Sequence, residues 1–450
     1  MNTPALENLF DKGMELFHIT NTAYPLSARS LIDYKVRDAD KIKGLLRTDI
    51  AKMDKVSLYI HIPFCKSRCK FCEYCVASGA ESEMKDAYVA RLCKEIGMYK
   101  GLIGNREIVG FDIGGGTPTE LSEAQLSTVM KTVRDNFNLD SVAAASIETT
   151  PVNAANQPEK LKHIRALGFP RISMGVQSVN RTFLEHMGRE GDNSVYRRAT
   201  DNIRAAGFGS FNIDLMYGFR DQGPDDFLNT VNYAISLDPE HITLYEMRYK
   251  FTQIIGDAKF VSKQDLNGLY ACAYDALAAA GYVANYGKNT FSRVPGDYGT
   301  SSYLTERVVN GVPYIGMGAG AQSFGLNYLA YNSGAATKTI KEYMRDIDDG
   351  RFPIQDIYDL PRDESIAKAI SVMFYFGFID YKSFASRFGV SFHKVFEKEI
   401  EFLKSRGLMD FGPDRAVITK RGVENMNGVI PMFYSARSKI EMMNTKNFTK

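Results

Sequence analysis

Four of the six cysteines fall within eleven residues, Cys65, Cys69, Cys72 and Cys75, spaced C-x3-C-x2-C-x2-C. Three thiolates on one short loop can hold three irons of a cubane and leave the fourth iron open to a small molecule. Zinc is a competing reading, but a zinc site draws four ligands, usually from two separated pairs, and no second pair exists here. Thiol redox chemistry of the overlapping C-x2-C pairs is a third, and it leaves Cys65 unexplained. Clustered rather than dispersed cysteines argue for a reducing compartment. Cys93 and Cys272 stand alone in helical patterns and read as packed thiols.

Further along lie residues that are ordinary one by one. Gly114, Gly115 and Gly116 lack side chains, so backbone amides there can approach a ligand closely. Glu148 can accept from an ammonium or from ribose hydroxyls, Arg189 can pair with a carboxylate in a forked geometry, and Asp214 can accept from hydroxyls. Alone, Glu148 would be a solvated surface residue, Arg189 surface and Asp214 a helix cap. His61 alternates within an apolar run and is a candidate lumen residue. His18, His163, His186, His241 and His393 are scattered and read as structural.

What gives these residues weight is the element each one follows. Val56–Ile62 is rich in β-branched and aromatic residues and reads as a strand, as do Ile108–Ile113, Ala145–Thr149, Arg171–Val176, Phe211–Tyr217 and His241–Tyr245. Amphipathic helical patterns alternate with them at Glu83–Lys100, Ser122–Phe137, Gln157–Leu167, Asn193–Ala206 and Pro224–Leu237. Cys65, Gly114–Pro118, Glu148, Gln177 and Asp214 all lie late in these strands or just after them. Parallel barrels build their sites at that end of the strands. The expectation is an α/β fold, a partial (β/α)6 TIM-type barrel, with a doubly wound open sheet as the alternative.

The rest of the chain is less regular. A helix near Lys263–Ala280 precedes a loop-rich stretch, Gly281–Tyr314, whose Tyr282, Tyr286, Tyr298 and Tyr303 suit either a flat substrate's pocket or packing. The run Gly316–Ala321 follows, and beyond about Lys338 the patterns turn helical. A hairpin near Gly407–Leu408 and Ala416–Thr419 gives the C-terminal region a winged-helix look. The expected divisions are an N-terminal extension (1–55), the partial barrel with its cluster site (56–330) and a mainly helical C-terminal domain (331–450).

Composition bounds the partners. Of 450 residues, 44% are hydrophobic and 24% charged, which suits a globular chain with a large core. Lys and Arg total 55 against 53 Asp and Glu, and a net charge of +2 gives no support for nucleic acid or a membrane surface. No apolar run approaches the roughly 20 residues of a membrane span. Glu7, Asp11 and Glu15 occupy an N-terminus with no apolar signal core, so a cytoplasmic location is expected.

Tyr59-Ile-His-Ile-Pro-Phe-Cys65 with C-x3-C-x2-C resembles the radical S-adenosylmethionine (SAM) superfamily, and within it the HemN-like, oxygen-independent coproporphyrinogen III oxidase-like family. The likeness continues through Gly114–Thr119, Ser146–Glu148, Arg171–Ser178, Asp214–Gly218 and Gly316–Ala321, covering about residues 56–425. It implies a [4Fe–4S] cluster on Cys65, Cys69 and Cys72. It also implies two SAM molecules, the first at Tyr59, Gly115 and Glu148, the second at Phe71, Gly116, Thr117, Gln177, Arg189 and Asp214. Two further family contact positions fall near Arg248 and Gln322, where the residue types depart. The resemblance implies a flavodoxin- or ferredoxin-type electron donor as well.

One departure bears on the reaction. Coproporphyrinogen oxidases of this kind carry C-x3-C-x2-C-x-C, whereas Glu73 and Tyr74 here push the fourth cysteine to Cys75. Three functions are therefore expected from the resemblance. The first is methyl or methylene transfer from a second SAM to an aromatic or heteroaromatic small molecule. The second is oxidation of a tetrapyrrole, by propionate decarboxylation or anaerobic haem degradation. The third is non-catalytic haem binding and delivery.

Overall fold

The computed structural model describes residues 4–20 and 24–446. Its central feature is a run of seven parallel strands: β1 (Lys55–Ile62), β2 (Glu107–Gly115), β3 (Ser146–Thr149), β4 (Arg171–Gln177), β5 (Ser210–Tyr217), β6 (His241–Glu246) and β7 (Tyr314–Met317). β1 to β6 lie side by side in chain order, and β7 pairs parallel with the outer side of β1. A doubly wound sheet reverses its strand order part-way; this one does not, which is the order of a barrel. Both faces of these strands are covered, and β1 from Val56 to Ile62 is buried but for half-buried Tyr59.

The helices between strands are α1 (Ser82–Ile103), α2 (Glu123–Asn136), α3 (Pro158–Ala166), α4 (Asn193–Ala205), α5 (Pro224–Ser236) and α6 (Lys263–Ala279). Local chemistry starts several of them. Ser122 and Gln125 form a reciprocal capping box at α2, and Ser262 and Asp265 do so at α6.

Past β6 the fold departs from the expected loops and helices. The sheet continues through antiparallel β8 (Gln322–Phe324), β9 (Tyr328–Asn332) and β10 (Ile354–Asp359) to an edge strand at Lys35–Val36, while Thr290–Ser292 closes the other edge against β6. β10 thus lies within a stretch whose sequence reads as helical. The loop-rich stretch itself holds a short helix, α7 (Ser302–Val308). The result is an incomplete barrel of parallel strands with an antiparallel wing.

The C-terminal region opens with α8 (Arg362–Met373) and carries a three-stranded antiparallel sheet, Phe378–Asp380, Arg415–Ile418 and Met409–Phe411 in spatial order, with helices between the first strand and the last two. Its core includes Phe384, Phe392 and Leu403 together with Leu9 from the N-terminal helix Leu6–Glu15 and Leu16 just past its end. The fit there is close: a side chain on Gly13 would lie 2.3 Å from the Asn427 carbonyl oxygen. Tyr24 donates to the buried Glu364 carboxylate, and the Lys368 Nζ donates to the Tyr24 carbonyl at 2.9 Å.

Candidate active site

Just after β1 the chain forms a closed loop. Phe64–Cys65 pairs in parallel with Ala77–Ser78, and Gly79 N donates to Cys65 O at 3.0 Å. Cys65, Cys69 and Cys72 sit on this loop as free, half-buried thiols. Burial pushes the Cys65 thiol up to about 11, against the lowering effect of the Thr117 hydroxyl 3.5 Å away, and nearby Cys72 and Cys69 add to the rise. Cys72 is also raised by burial. Among the described residues no three His, Cys, Asp or Glu converge tightly enough for one metal ion. A cubane takes its thiolates on different irons, so its three ligands need not converge on one point.

Cys75 is the buried one of the four clustered cysteines. It is 2% exposed and packs on backbone: a side chain on Gly334 would meet its Sγ at 3.1 Å. Burial pushes its thiol up to about 11.

The glycines after β2 let three groups close in. A Cβ on Gly116 would lie 3.0 Å from the Cys65 sulfur, and one on Gly115 would lie 2.6 Å from the His61 ring. Gly115 also sits at φ +120°, which costs a residue with a side chain. Its amide donates to Glu148 at 3.1 Å. Burial pushes Glu148 up to about 8, and the charge of Asp214 pushes the same way. Among the described residues no cationic side chain forms an ion pair with it, so an ammonium or hydroxyl donor would be welcome there. His61 is buried in the strand; burial lowers it to about 4, so it is neutral, and its Nδ1 lies 3.4 Å from the Tyr59 hydroxyl.

Across the lumen stand the residues assigned to a second ligand. A register shift between Gly175 and Gln177 leaves Gln177 at φ +69°, with its Oε1 buried and unpartnered. Such strain in a non-glycine residue is common at binding sites. Arg189 donates to Gly175 O at 2.7 Å and brings a second guanidinium nitrogen to 4.0 Å from the Cys69 sulfur. Asp214 accepts from Ser173 and Asn212, both at 2.8 Å. Phe71 is half-buried on the cysteine loop, and Thr117 N donates to Phe64 O at 2.7 Å. The fold therefore gathers Tyr59, Gly115, Gly116, Thr117, Glu148, Gln177, Arg189 and Asp214 at one end of the lumen beside the thiols.

Sequence reasoning missed the chamber above them. Tyr74 is 51% and Tyr245 39% exposed, yet Tyr245 lies in electrostatic range of Asp214, Tyr375, Glu148 and Tyr74. Those groups come from four other segments of the chain. Tyr375, just past α8, reaches in from the C-terminal region. Arg248 forms an ion pair with Glu73, and Arg307 of α7 lies over the Tyr314 ring at 4.5 Å. Tyr74, Tyr245, Arg248 and Tyr375 also line a cavity of ≈ 200 Å³ that runs on toward Tyr286 and Val423. The one sequence signal was the pair of departures, Glu73-Tyr74 and Arg248, which the fold brings into contact. Of the four tyrosines of the loop-rich stretch, Tyr282 and Tyr303 are buried, Tyr298 stacks on Phe376, and only Tyr286 lines the cavity.

The sequence matches the radical SAM superfamily over residues 59–234. It is 28% identical over 422 residues to the oxygen-independent coproporphyrinogen III oxidase of Salmonella typhimurium, covering 89% of each chain. It is 30% identical over 277 residues to the haem chaperone HemW of Escherichia coli, covering 60% of this chain and 71% of that one. The solved structure of Escherichia coli HemN, described as a radical SAM enzyme, superposes with a TM-score of 0.73 at 25% identity, over 89% of this chain and 99% of that one. This chain belongs to the HemN-like family of radical SAM proteins. A HemN-like protein works with a [4Fe–4S] cluster and SAM. The donor set fits both: soft thiols on one loop, and beside them a glycine cradle and a buried carboxyl group, Glu148. No helix among the described residues is long and apolar enough to cross a membrane.

Proposed function

We propose that this HemN-like protein splits SAM reductively and turns the resulting radical on a carboxylate-bearing substrate of the tetrapyrrole type. Cys65, Cys69 and Cys72 hold the cluster, which when bound supplies the electron that breaks SAM into methionine and a 5′-deoxyadenosyl radical. Glu148 and the Gly115 amide orient the first SAM, with Tyr59 against its adenosine side. The single observation that carries the substrate class is the cavity lined by Tyr74, Tyr245, Tyr375 and Arg248. Aromatic rings offer faces to pyrrole rings, and guanidinium reads carboxylate in a fork. The names of the coproporphyrinogen oxidase relatives support the same reading.

A second reading is favoured by the Glu73–Arg248 pair, which fills part of that chamber. Here Phe71, Gly116, Thr117, Gln177, Arg189 and Asp214 hold a second SAM as a methyl or methylene donor to a smaller aromatic or heteroaromatic metabolite. Non-catalytic haem delivery is the reading that the HemW likeness supports. Anaerobic incubation with methyl-labelled SAM and a flavodoxin- or ferredoxin-type reductant separates the three. Carbon dioxide or ring-opened tetrapyrrole supports the first, and S-adenosylhomocysteine with label in product supports the second. Stoichiometric haem binding without SAM cleavage overturns both.

A further inference from the structure

The cysteine loop has an outer side as well as a lumen side, and that outer side abuts an unusual surface. Lys70, between Cys69 and Cys72, accepts a backbone hydrogen bond from Gln253 N at 2.9 Å and donates to Met187 O at 2.9 Å. The segment that reaches it, residues 251–260, carries Phe251 at 68%, Ile255 at 43% and Phe260 at 50% exposure. Phe251 is also held at φ +68°, a conformation that bulky side chains avoid. A strained aromatic kept in water has no folding rationale, since burial would favour the opposite placement.

Cations frame these three side chains. Lys250 lies over the Phe251 ring at 5.0 Å, Arg220 and Lys259 lie over the Phe260 ring at 3.9 and 5.0 Å, and Lys66 and Lys70 are exposed on the cysteine loop itself. Asp257 and Asp221 are the facing carboxylates; Arg220 pairs with both, and Asp257 also takes His186. Among the described residues no carboxylate lies within ion-pair distance of Lys66, Lys70, Lys250 or Lys259. The face is therefore locally basic on a chain whose net charge is only +2.

We propose that this face, Phe251, Ile255 and Phe260 ringed by Lys66, Lys70, Lys259 and Arg220, docks a small acidic one-electron carrier protein. The proposal rests on the assignment of a cluster to Cys65, Cys69 and Cys72. The carrier, of the reduced flavin or iron–sulfur class, gives up one electron and the cluster takes it up; no atom or proton changes hands at the surface. Charge complementarity selects an acidic partner and speeds encounter, while three exposed apolar side chains suit the small, transient contact of an electron-transfer pair.

The test uses the reconstituted holoenzyme and purified flavodoxin with its reductase. The variant combines Phe251→Gly, Lys259→Glu and Phe260→Ser, all outside the binding machinery. Flavodoxin affinity, measured directly by titration, should weaken about tenfold or more in the variant, and the parent's affinity should fall as salt rises past roughly 0.1 M. SAM cleavage driven by flavodoxin should slow in parallel, while cleavage driven by dithionite, which needs no docking face, stays at the parent rate. Unchanged flavodoxin affinity in a variant that melts like the parent overturns the proposal. So does a variant that alters self-association but not flavodoxin binding, because the face would then be covered by a second copy of the chain. Should dithionite drive no cleavage even in the parent, the functional reading fails instead, and the binding titration still decides the docking face.

Discussion

The barrel buries carboxylates in two neighbouring layers of its lumen, and the two layers treat them differently. In the lower layer, Asp112, in register with Tyr59, accepts from Ser146 N at 3.1 Å and from the Ser301 hydroxyl at 2.6 Å. Burial raises it to about 7, while Ser301 and the charge of Arg171 pull the other way. Arg171 is itself bonded to Ser146 and Gly299, and His241 is held between Ser210 and Asp297. At the mouth, Glu148 has one backbone donor and a like charge beside it, and Gln177 has an orphaned acceptor. Equal burial with unequal pairing separates a network that supports the fold from one that awaits a ligand.

The largest effect is expected at the thiols. Cys72→Ala should abolish reductive SAM cleavage, read as 5′-deoxyadenosine in anaerobic assays, while leaving the lower network and the melting temperature nearly unchanged. Cleavage at the parent rate would remove Cys72 from the ligand set.

Next in size comes the second-ligand side of the mouth. Arg189→Ala removes a charge-assisted contact of about 1.5–3 kcal/mol, which weakens donor SAM binding roughly ten- to a hundredfold. If a donor SAM is used, 5′-deoxyadenosine continues and one-carbon transfer falls. Unchanged product yield at limiting SAM would leave Arg189 without that role.

The two carboxylates then oppose each other directly. Glu148→Gln should weaken SAM binding in equilibrium titrations without lowering the melting temperature. Asp112→Ala should do the converse, destabilising by about 1–3 kcal/mol through the donors it orphans. A destabilised Glu148→Gln protein with normal SAM affinity would erase the distinction between the two layers.

A smaller effect is expected with pH. Glu148 at about 8 and Asp112 at about 7 hold protons in the fold that the unfolded chain has already released. Their contribution to stability is fully present below the ordinary carboxylate range and is lost as pH rises through 7 and 8. The melting temperature without SAM should therefore decline between pH 6 and about 8.5, and Glu148→Gln should flatten the upper part of that slope. The smallest change is Cys75→Ala, which should keep the cluster's absorbance and cost about 1 kcal/mol of packing. Loss of the cluster in that variant would make Cys75 a ligand.

Much of this was legible in the sequence because parallel βα units carry strong local rhythm. The expected Phe211–Tyr217 is observed as Ser210–Tyr217, and Asn193–Ala206 as Asn193–Ala205. The antiparallel wing was not legible. β8 is three residues long and follows a glycine-rich turn, and Lys35–Val36 finds its partners at Tyr358 and Ile357, more than three hundred residues away. No local pattern encodes such a pairing. Gly318 looks like a loop residue, yet the buried Glu95 carboxylate pins its amide at 2.7 Å and also accepts from Asn332 and Tyr343. The thiols and glycines were readable because their residue types are constrained by close approach. Tyr74, Tyr245 and Tyr375 were not, since an aromatic facing a cavity and one facing a core have the same letter.

The joining of the chain's two ends has a mechanical meaning. The helix Leu6–Glu15 is packed into the C-terminal core, and Tyr24 is tied through its hydroxyl to Glu364 and through its carbonyl to Lys368, both on the helix that precedes Tyr375. Lys35–Val36, ten residues on, is stitched to the edge of the main sheet. The stretch between them works as a tether, anchored at one end to the roof of the chamber and at the other to its wall. Such a tether limits how far the roof can move, and so holds Tyr375 beside Tyr74 and Tyr245.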